Sequence, residues 1–373
     1  MRKFLFDVHW LLGITAGLII TIVGVTGGML SLERQILQWM NPGIITVTPA
    51  GSSLSPEQLL EKVAQQATDK TIANLTLYPE ANLAAEVRFA PLPGQRRGEQ
   101  QYLNPYSGEL LGQPVGREFF IDVMRLHRWL LAGDVGKQIV GASTVILIVL
   151  SLTGIYFRWP KGKKRWGWRY WLTWRKGKSG RPFWWQVHAV VGTWVLPLYI
   201  LACVTGLYWS YEWYRDGLYQ LTGVERPQRG GPMAPVPSAA DASINTYWAI
   251  FQQEVTDYQK ATIDLPVGEQ FSVNFLSADA KHLRANSRWQ LDTQTLNTNQ
   301  ALFNDKPIEE RLITSMLPLH SGEYFGFVGL IAMMIASLLM PLFFITGWYL
   351  YLSRKKKQRQ ASEKKQTANL RTA

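Results

Sequence analysis

The stretch VHWLLGITAGLIITIVGVTGGMLSLE, residues 8–33, has no Asp, Glu, Lys or Arg before its last residue, so positions 8–32 form an uncharged run of 25. About 20 mostly apolar residues suffice to cross a bilayer as a helix. Three more stretches, 138–157, 182–211 and 324–353, are uncharged over 20, 30 and 30 residues. The pattern predicts a four-span α-helical membrane protein, with spans within 1–32, 137–158, 183–211 and 324–353. Between them lie polar segments at 33–136 (ending in an interfacial stretch before the second span) and 212–323, a basic loop at 159–182 and a basic tail at 354–373. Arg2 and Lys3 ahead of an apolar run are also how a secretory signal begins. This run is longer than a signal's apolar core and no A-x-A-like site follows, so the first span is expected to be retained.

Charge sets the expected orientation. The formal net charge is +12, from 39 Lys+Arg and 27 Asp+Glu. With both termini in the cytoplasm, the inner segments hold 20 basic and 2 acidic residues, and the outer segments 19 basic and 25 acidic. Ten of the inner cations lie between Arg158 and Arg181, with no acid among them. Lys and Arg in short flanking loops favour the cytoplasmic side, so the net charge reads as a membrane-orientation signal rather than a nucleic-acid footprint. Ten of the 16 Trp fall between Trp159 and Trp213, as an interfacial aromatic belt would place them. The single Cys, Cys203, lies inside the third span, so no intramolecular disulfide forms.

The opening stretch has a counterpart, VHAVVGTWVLPLYILACVTGLYWSYE, at 187–212. Setting His9 on His188 places Gly13 on Gly192, Val25-Thr26-Gly27 on Val204-Thr205-Gly206, Ser31 on Ser210 and Glu33 on Glu212, without a gap. Setting His127 on His320 places Gly136 on Gly329, Thr153-Gly154 on Thr346-Gly347 and Tyr156 on Tyr349. Both alignments keep chain order, which predicts two parallel repeats of span, external domain and span. Each external segment is expected to be a small α+β unit. The first has a helix at 55–68, strands at Asn74–Tyr78, Ala84–Phe89 and Gln101–Leu103, and a turn at 104–108. The second has a helix near 242–256, strands near Phe271–Phe275 and Arg288–Leu291, and a turn near 292–295. The Pro/Gly-rich stretch 226–238 reads as a loop entering the second unit.

The chain has five His. Four of them, His9, His188, His127 and His320, occupy the two duplicated positions. His9 and His188 mark the inner ends of spans one and three; His127 and His320 precede spans two and four on the outer side. A hydrocarbon core roughly 30 Å thick keeps an inner and an outer His apart, but repeat symmetry brings equivalent ones face to face. One His from each of two helices is the axial ligand set of a haem iron. Structural zinc wants four ligands and catalytic zinc three, and neither set is visible. A lone His at a helix end is ordinarily structural; four at two matched depths suggest two haems, one above the other. Gly13 and Gly192, one turn from His9 and His188, would let a flat macrocycle approach, although small residues also serve close helix packing. Arg125 and Arg128 beside His127 could neutralise propionates of the outer group, and Arg2, Lys3 and Arg181 those of the inner one, or all could contact lipid headgroups. His282, among Lys281, Arg284 and Arg288, reads as a surface residue.

These residues resemble the PepSY-associated transmembrane family. The likeness is carried by Val8-His9-Trp10 with Gly13, the Val-Thr-Gly elements of spans one and three, Leu126-His127-Arg128-Trp129-Leu130-Leu131, Leu319-His320-Ser321-Gly322-Glu323 with Gly326, and the Tyr102–Gly108 hairpin. Within the family it is most similar to the ferric-siderophore reductases of bacterial inner membranes. That resemblance implies two b haems, with His9 and His188 as axial ligands inside and His127 and His320 outside. It also implies reduction of ferric iron in a siderophore on the periplasmic side. The second external domain departs further from the family pattern. Fe(II) suits the hard oxygen donors of a siderophore less well than Fe(III), so reduction promotes release.

No acid–base catalytic residue is assigned in this reading. No Gly-rich dinucleotide fingerprint or phosphate loop is present, so electrons would come from a quinol or a cytoplasmic donor. Membrane lipid is an expected partner and nucleic acid is not. Two competing readings are a PepSY membrane protein that docks or regulates a partner, and a transporter. The first gives the four His no shared task. The second would usually want ionisable groups near the midplane, and no acid or base lies deep in any span.

Overall fold

In the computed structural model of the chain, the structure describes residues 1–92, 94–95, 98–159, 167–226 and 243–372. Lys161, Lys163, Lys164 and Arg165 of the basic loop, and the Pro/Gly-rich stretch beyond Arg226, lie outside the described residues. The chain opens with α1 (Arg2–Thr15), α2 (Gly17–Leu30), α3 (Glu33–Met40) and α4 (Pro56–Gln66). Strands β1 (Ile72–Leu77), β2 (Ala85–Phe89), β3 (Gln100–Leu103) and β4 (Leu110–Gly112) follow. Next come α5 (Arg117–Trp129), α6 (Gly133–Arg158), α7 (Trp168–Leu172) and α8 (Gly180–Gln186), with a π-helical turn (Val187–Val191) leading into α9 (Gly192–Ser210). α10 (Glu212–Thr222) and α11 (Ile244–Glu254) precede β5 (Tyr258–Asp264), β6 (Gln270–Ser277), β7 (Asn286–Asp292) and β8 (Thr298–Ala301). The chain closes with α12 (Ile308–Thr314), α13 (Met316–Ser321), α14 (Gly326–Leu338) and α15 (Met340–Thr372).

Contacts divide the chain into two units. One is helical and comprises Met1–Leu32, Ile121–Arg215 and Leu319–Ala373; the other comprises Glu33–Phe120 and Asp216–Pro318. In the helical unit, among the described residues, Gly133–Arg158, Gly180–Ser210 and Glu323–Lys364 are each long and apolar enough to cross a membrane. α1 and α2 make a fourth span if the pair, bent by 56°, counts as one. The sequence predicts one uninterrupted run here, and two contacts accompany the bend. Thr15 donates its hydroxyl back to Leu11 O at 2.9 Å, a bond that competes with the helix ladder. Gly17 then lets the Phe344 ring pack against bare backbone: a Cβ there would sit 2.5 Å from Phe344 Cδ2. The interruption at Leu339 falls just before Pro341, which has no N–H to bond the carbonyl one turn back.

The centre of this unit packs Ala16, Ile20, Val195, Tyr199, Ala336 and Met340, and the buried Tyr199 hydroxyl donates to Ala336 O at 2.7 Å. Gly24 lies against Met340 and the Ser337 carbonyl, and Gly28 against Leu338. Small residues four apart allow such close helix approach where no aqueous hydrophobic force operates. α15 runs apolar to Leu352, and the basic tail continues as the same helix to Thr372.

The second unit is built on one eight-stranded antiparallel sheet in the order β4-β3-β2-β1-β5-β6-β7-β8. The separate α+β units expected for the two segments thus share a sheet. β1 pairs with β5, with Leu75 opposite Ile263. β4, β5 and β8 were not among the strands read from sequence: β4 has three residues, and the four of β8 are all exposed. On one face, α4 and α11 cover a core of fully buried side chains including Leu59, Val63, Leu75, Phe251, Phe275 and Trp289. Each such side chain contributes about 1.5–3 kcal/mol of hydrophobic stabilisation. Ser55 caps α4 as expected, accepting from Gln58 N–H in a reciprocal capping box with Pro56 in the first turn.

Candidate functional site

Each of the four duplicated histidines sits in the same kind of socket. His9 Nδ1 lies 2.7 Å from Thr153 Oγ1 and His188 Nδ1 2.7 Å from Thr346 Oγ1. His127 Nδ1 lies 3.2 Å from Thr26 Oγ1, and His320 Nδ1 3.0 Å from Thr205 Oγ1. In every case the threonine hydroxyl donates its own proton to the carbonyl one turn back: Ile22, Val149, Leu201 or Leu342, at 2.6–2.7 Å. The hydroxyl oxygen is then an acceptor toward the ring, and Nδ1 is the N–H donor. At His127 and His320 a backbone carbonyl reinforces this, Val23 O at 2.9 Å and Ala202 O at 3.1 Å. A carbonyl can only accept, so the network assigns the proton to Nδ1 and leaves the Nε2 lone pair free. An outer partner that fixes tautomer and ring orientation is the usual support of a metal-ligating histidine.

The glycine after each threonine completes the socket. A Cβ on Gly27 would sit 3.0 Å from His127 Cε1, and one on Gly206 3.2 Å from His320 Cε1. At Gly154 and Gly347 the corresponding distances to His9 and His188 are 4.0 and 3.9 Å. The Thr-Gly pairs are visible in the sequence as repeated elements. Their pairing with histidines 101 to 158 positions away is what the fold adds.

The sockets bring the histidines together two by two. A metal held between two imidazole nitrogens at about 2 Å each puts the ring centres roughly 6.3 Å apart. The His127 and His320 ring centres are 6.2 Å apart. At the other end of the helices, His9 and His188 line one cavity of about 690 Å³, within the usual range for a small-molecule or cofactor site. Gly13 and Gly192 line it too, as do Trp10, Trp185, Phe343 and Trp348. So do Arg2, Lys3 and Arg181, three of the cations expected near an inner group, together with Arg158 and Arg354, which the sequence did not point to for this role. Among the described residues, no Asp or Glu lines the cavity. His188 itself lies in the π-helical turn, a geometry common at functional sites. The guanidinium of Arg158, which is buried, donates to Ala189 O, Thr193 Oγ1 and Tyr170 O, pinning the end of α6 to the residue after His188.

The two arginines beside His127 have other contacts. Arg125 bonds Asp122 at 2.9 Å with both side chains more than half exposed, and Arg128 lies 4.5 Å over the Trp129 ring. His282, expected at the surface, is 4% exposed. Its Nδ1 accepts from Arg284 N–H, its Nε2 pairs with Ser315 Oγ at 2.9 Å, and its ring meets Phe303 edge-on. The flanking Lys281 and Arg284 are exposed while the imidazole turns inward, so composition around a residue misjudged its burial. Among the described residues, no three His, Cys, Asp or Glu come close enough to hold a metal ion. The four imidazoles thus stand as two pairs, with no third His, Cys, Asp or Glu beside either among the described residues.

A model of the family described as "PepSY-associated TM region" matches residues 6–354. None of the curated proteins matches the chain.

Proposed function

The chain belongs to the PepSY-associated transmembrane family, and on that premise we propose that it is a di-haem electron-transfer protein of the bacterial inner membrane. Its task in this reading is to reduce ferric iron held by a siderophore on the periplasmic side, which promotes release of the iron. The observation that carries the proposal is the set of four histidines, each with Nδ1–H anchored to a threonine and Nε2 left free, gathered into two pairs. Bound between such pairs, a b haem supplies an iron centre that accepts and passes on one electron at a time.

The chain's own residues do the rest. His9 and His188 would hold one group, His127 and His320 the other. Arg2, Lys3, Arg181 and Arg354, which line the cavity, would pair with propionate carboxylates. The aromatic lining would keep water from the inner group, and Arg158 fixes the turn that presents His188. Both termini and the basic loop lie on the cytoplasmic side and the sheet unit on the periplasmic side, following the distribution of Lys and Arg.

The same reading makes the chain two parallel repeats. Each histidine finds its threonine within its own half, whereas each histidine pair joins the two halves. The separations in sequence are 144 and 101 residues in the first half and 158 and 115 in the second, a constant difference of 14. One duplication followed by a net insertion in the second external segment accounts for both differences.

The test is anaerobic. Detergent-purified protein is reduced with dithionite, freed of excess reductant and mixed with a ferric hydroxamate siderophore in the presence of a ferrous chelator. Reoxidation of the reduced haem bands with formation of one ferrous chelate per electron supports the proposal. Reduced bands that persist with every ferric siderophore class offered would refute the reductase assignment while leaving the haem sites standing.

A further inference from the structure

If the histidine sites carry electrons, the inner one needs a donor, and the surface around its opening has a chemical character. We propose that the cytoplasmic end of the helical unit is a docking surface for an acidic soluble electron-carrier protein, such as a flavoprotein. The proposal rests on the haem reading above and extends it to the class of donor.

Two features converge on this end. Arg2, Lys3, Arg181 and Arg354 line the His9/His188 cavity, and among the described residues no acid lines it. Two propionates would neutralise two of these four cations and leave the lining net positive. α15, which supplies Thr346 to the His188 socket and Arg354 to the lining, then continues without a break to Thr372. Lys355, Lys356, Lys357, Arg359 and Lys364 along it are exposed. The segment 354–372 holds eight basic residues and one acid, Glu363, which is bonded to Arg359 at 2.8 Å.

Anionic lipid is the competing explanation for basic residues at a membrane border, and the geometry of α15 argues against it for the outer part of the helix. A helix that continues its own span leaves the bilayer instead of lying on it. Residues 355–372 extend roughly 27 Å at 1.5 Å per residue, whereas the headgroup layer is only about 5–8 Å deep on each side. At the same rise Arg359 stands about 6 Å beyond Lys355, at the outer edge of the headgroup layer, and Lys364 about 14 Å beyond, clear of it, on the helix whose Arg354 lines the inner cavity. Complementary charge raises encounter rates and orients partners more than it adds affinity, which suits a carrier that must bind, deliver an electron and leave.

The full-length protein is placed in phosphatidylcholine nanodiscs and flavodoxin serves as the acidic probe. Equilibrium binding is measured by surface plasmon resonance at low and at physiological salt, and haem reduction by flavodoxin hydroquinone is followed by stopped flow. Binding and the second-order reduction rate are expected to fall about tenfold or more on adding salt. The double variant Arg359→Gln, Lys364→Gln should lose several-fold at low salt, while dithionite reduces it and the unmodified protein to the same extent. Absent binding, binding indifferent to salt and to the variant, or bound flavodoxin that delivers no electron to haem-loaded protein would each overturn the proposal. Binding that disappears when phosphatidylglycerol is added to the nanodiscs would assign the cations to lipid and overturn it as well. The binding arm needs no haem, and haem content is read separately by absorption, so failure of the cofactor reading is distinguishable from failure of the docking surface.

Discussion

The His9/His188 end and the His127/His320 end use the same socket with opposite emphasis. At His9 and His188, among the described residues, Nδ1 is held by a threonine hydroxyl alone at 2.7 Å, and a Cβ on the glycine after the threonine would stand 3.9–4.0 Å from the ring. At His127 and His320 the hydroxyl is farther, 3.0–3.2 Å, a backbone carbonyl shares the proton, and a Cβ on the glycine would come within 3.0–3.2 Å of the ring. One end relies on a side-chain acceptor beside an open cavity; the other relies on backbone and tight packing. The two pairs should therefore be vulnerable to different substitutions.

Removing a ligand has the largest effect. His9→Ala or His188→Ala is expected to halve the haem per chain and spare the other site, and His127→Ala or His320→Ala to do the converse. Each should lower ferric-siderophore reduction by about 100-fold or more, because both centres are needed in series. Haem content by pyridine haemochrome and steady-state ferrous-chelate formation check this. If one ligand substitution emptied both sites, the division into two ends would fail.

The threonines sharpen the comparison. Thr153→Val or Thr346→Val deletes the hydroxyl acceptor at the His9/His188 end and should weaken haem retention there about 10- to 100-fold. Thr26→Val or Thr205→Val should cost several-fold less, since Val23 O and Ala202 O remain. Haem transfer to apomyoglobin measures retention, and equal losses at both ends would break the distinction.

Glycine substitutions should reverse the ranking. Gly27→Ala and Gly206→Ala drive a methyl against Cε1 and are expected to cost about 1–3 kcal/mol of stability at the His127/His320 end, as overpacking does. Gly154→Ala and Gly347→Ala meet only ordinary contact and should be close to neutral. Thermal unfolding in detergent, read with the haem band of each site, separates them.

The smallest expected effect lies in the sheet unit. Burial raises the Asp264 carboxyl above its ordinary range, opposed by the Arg288 guanidinium and by the amides of Asn274 and Asn74. An acid whose folded value is raised destabilises the fold increasingly as pH climbs from the unfolded to the folded value, and by a constant amount above that. Asp264→Asn should therefore raise Tm by about 1–3 °C more near neutral pH than at about pH 3. An equal change at both pH values would show that the carboxylate is not penalised.

Much of the helical unit was legible because a bilayer demands long uncharged runs, and such runs announce themselves locally. The bend at Ala16 was not, and of the two contacts that accompany it, Thr15 bonding back to Leu11 and Phe344 packing at Gly17, the second arrives from a distant helix. The four histidines stood out because the chain has so few. Their threonines were visible only as duplicated Thr-Gly letters, because hydrogen bonds spanning more than a hundred residues leave no periodic trace. In the sheet unit the individual strands β1, β2, β3, β6 and β7 could be read from alternation. The β1–β5 pairing that makes one sheet of two segments could not, because a strand's own sequence does not name its neighbour.

The most direct test of the central claim is the absorption spectrum of the detergent-purified protein, air-oxidised and then dithionite-reduced, with haem quantified per chain. The account predicts sharp reduced α and β bands and about two haems per chain, as two axial histidine pairs require. A protein that stays colourless, even after reconstitution with haemin, would contradict it.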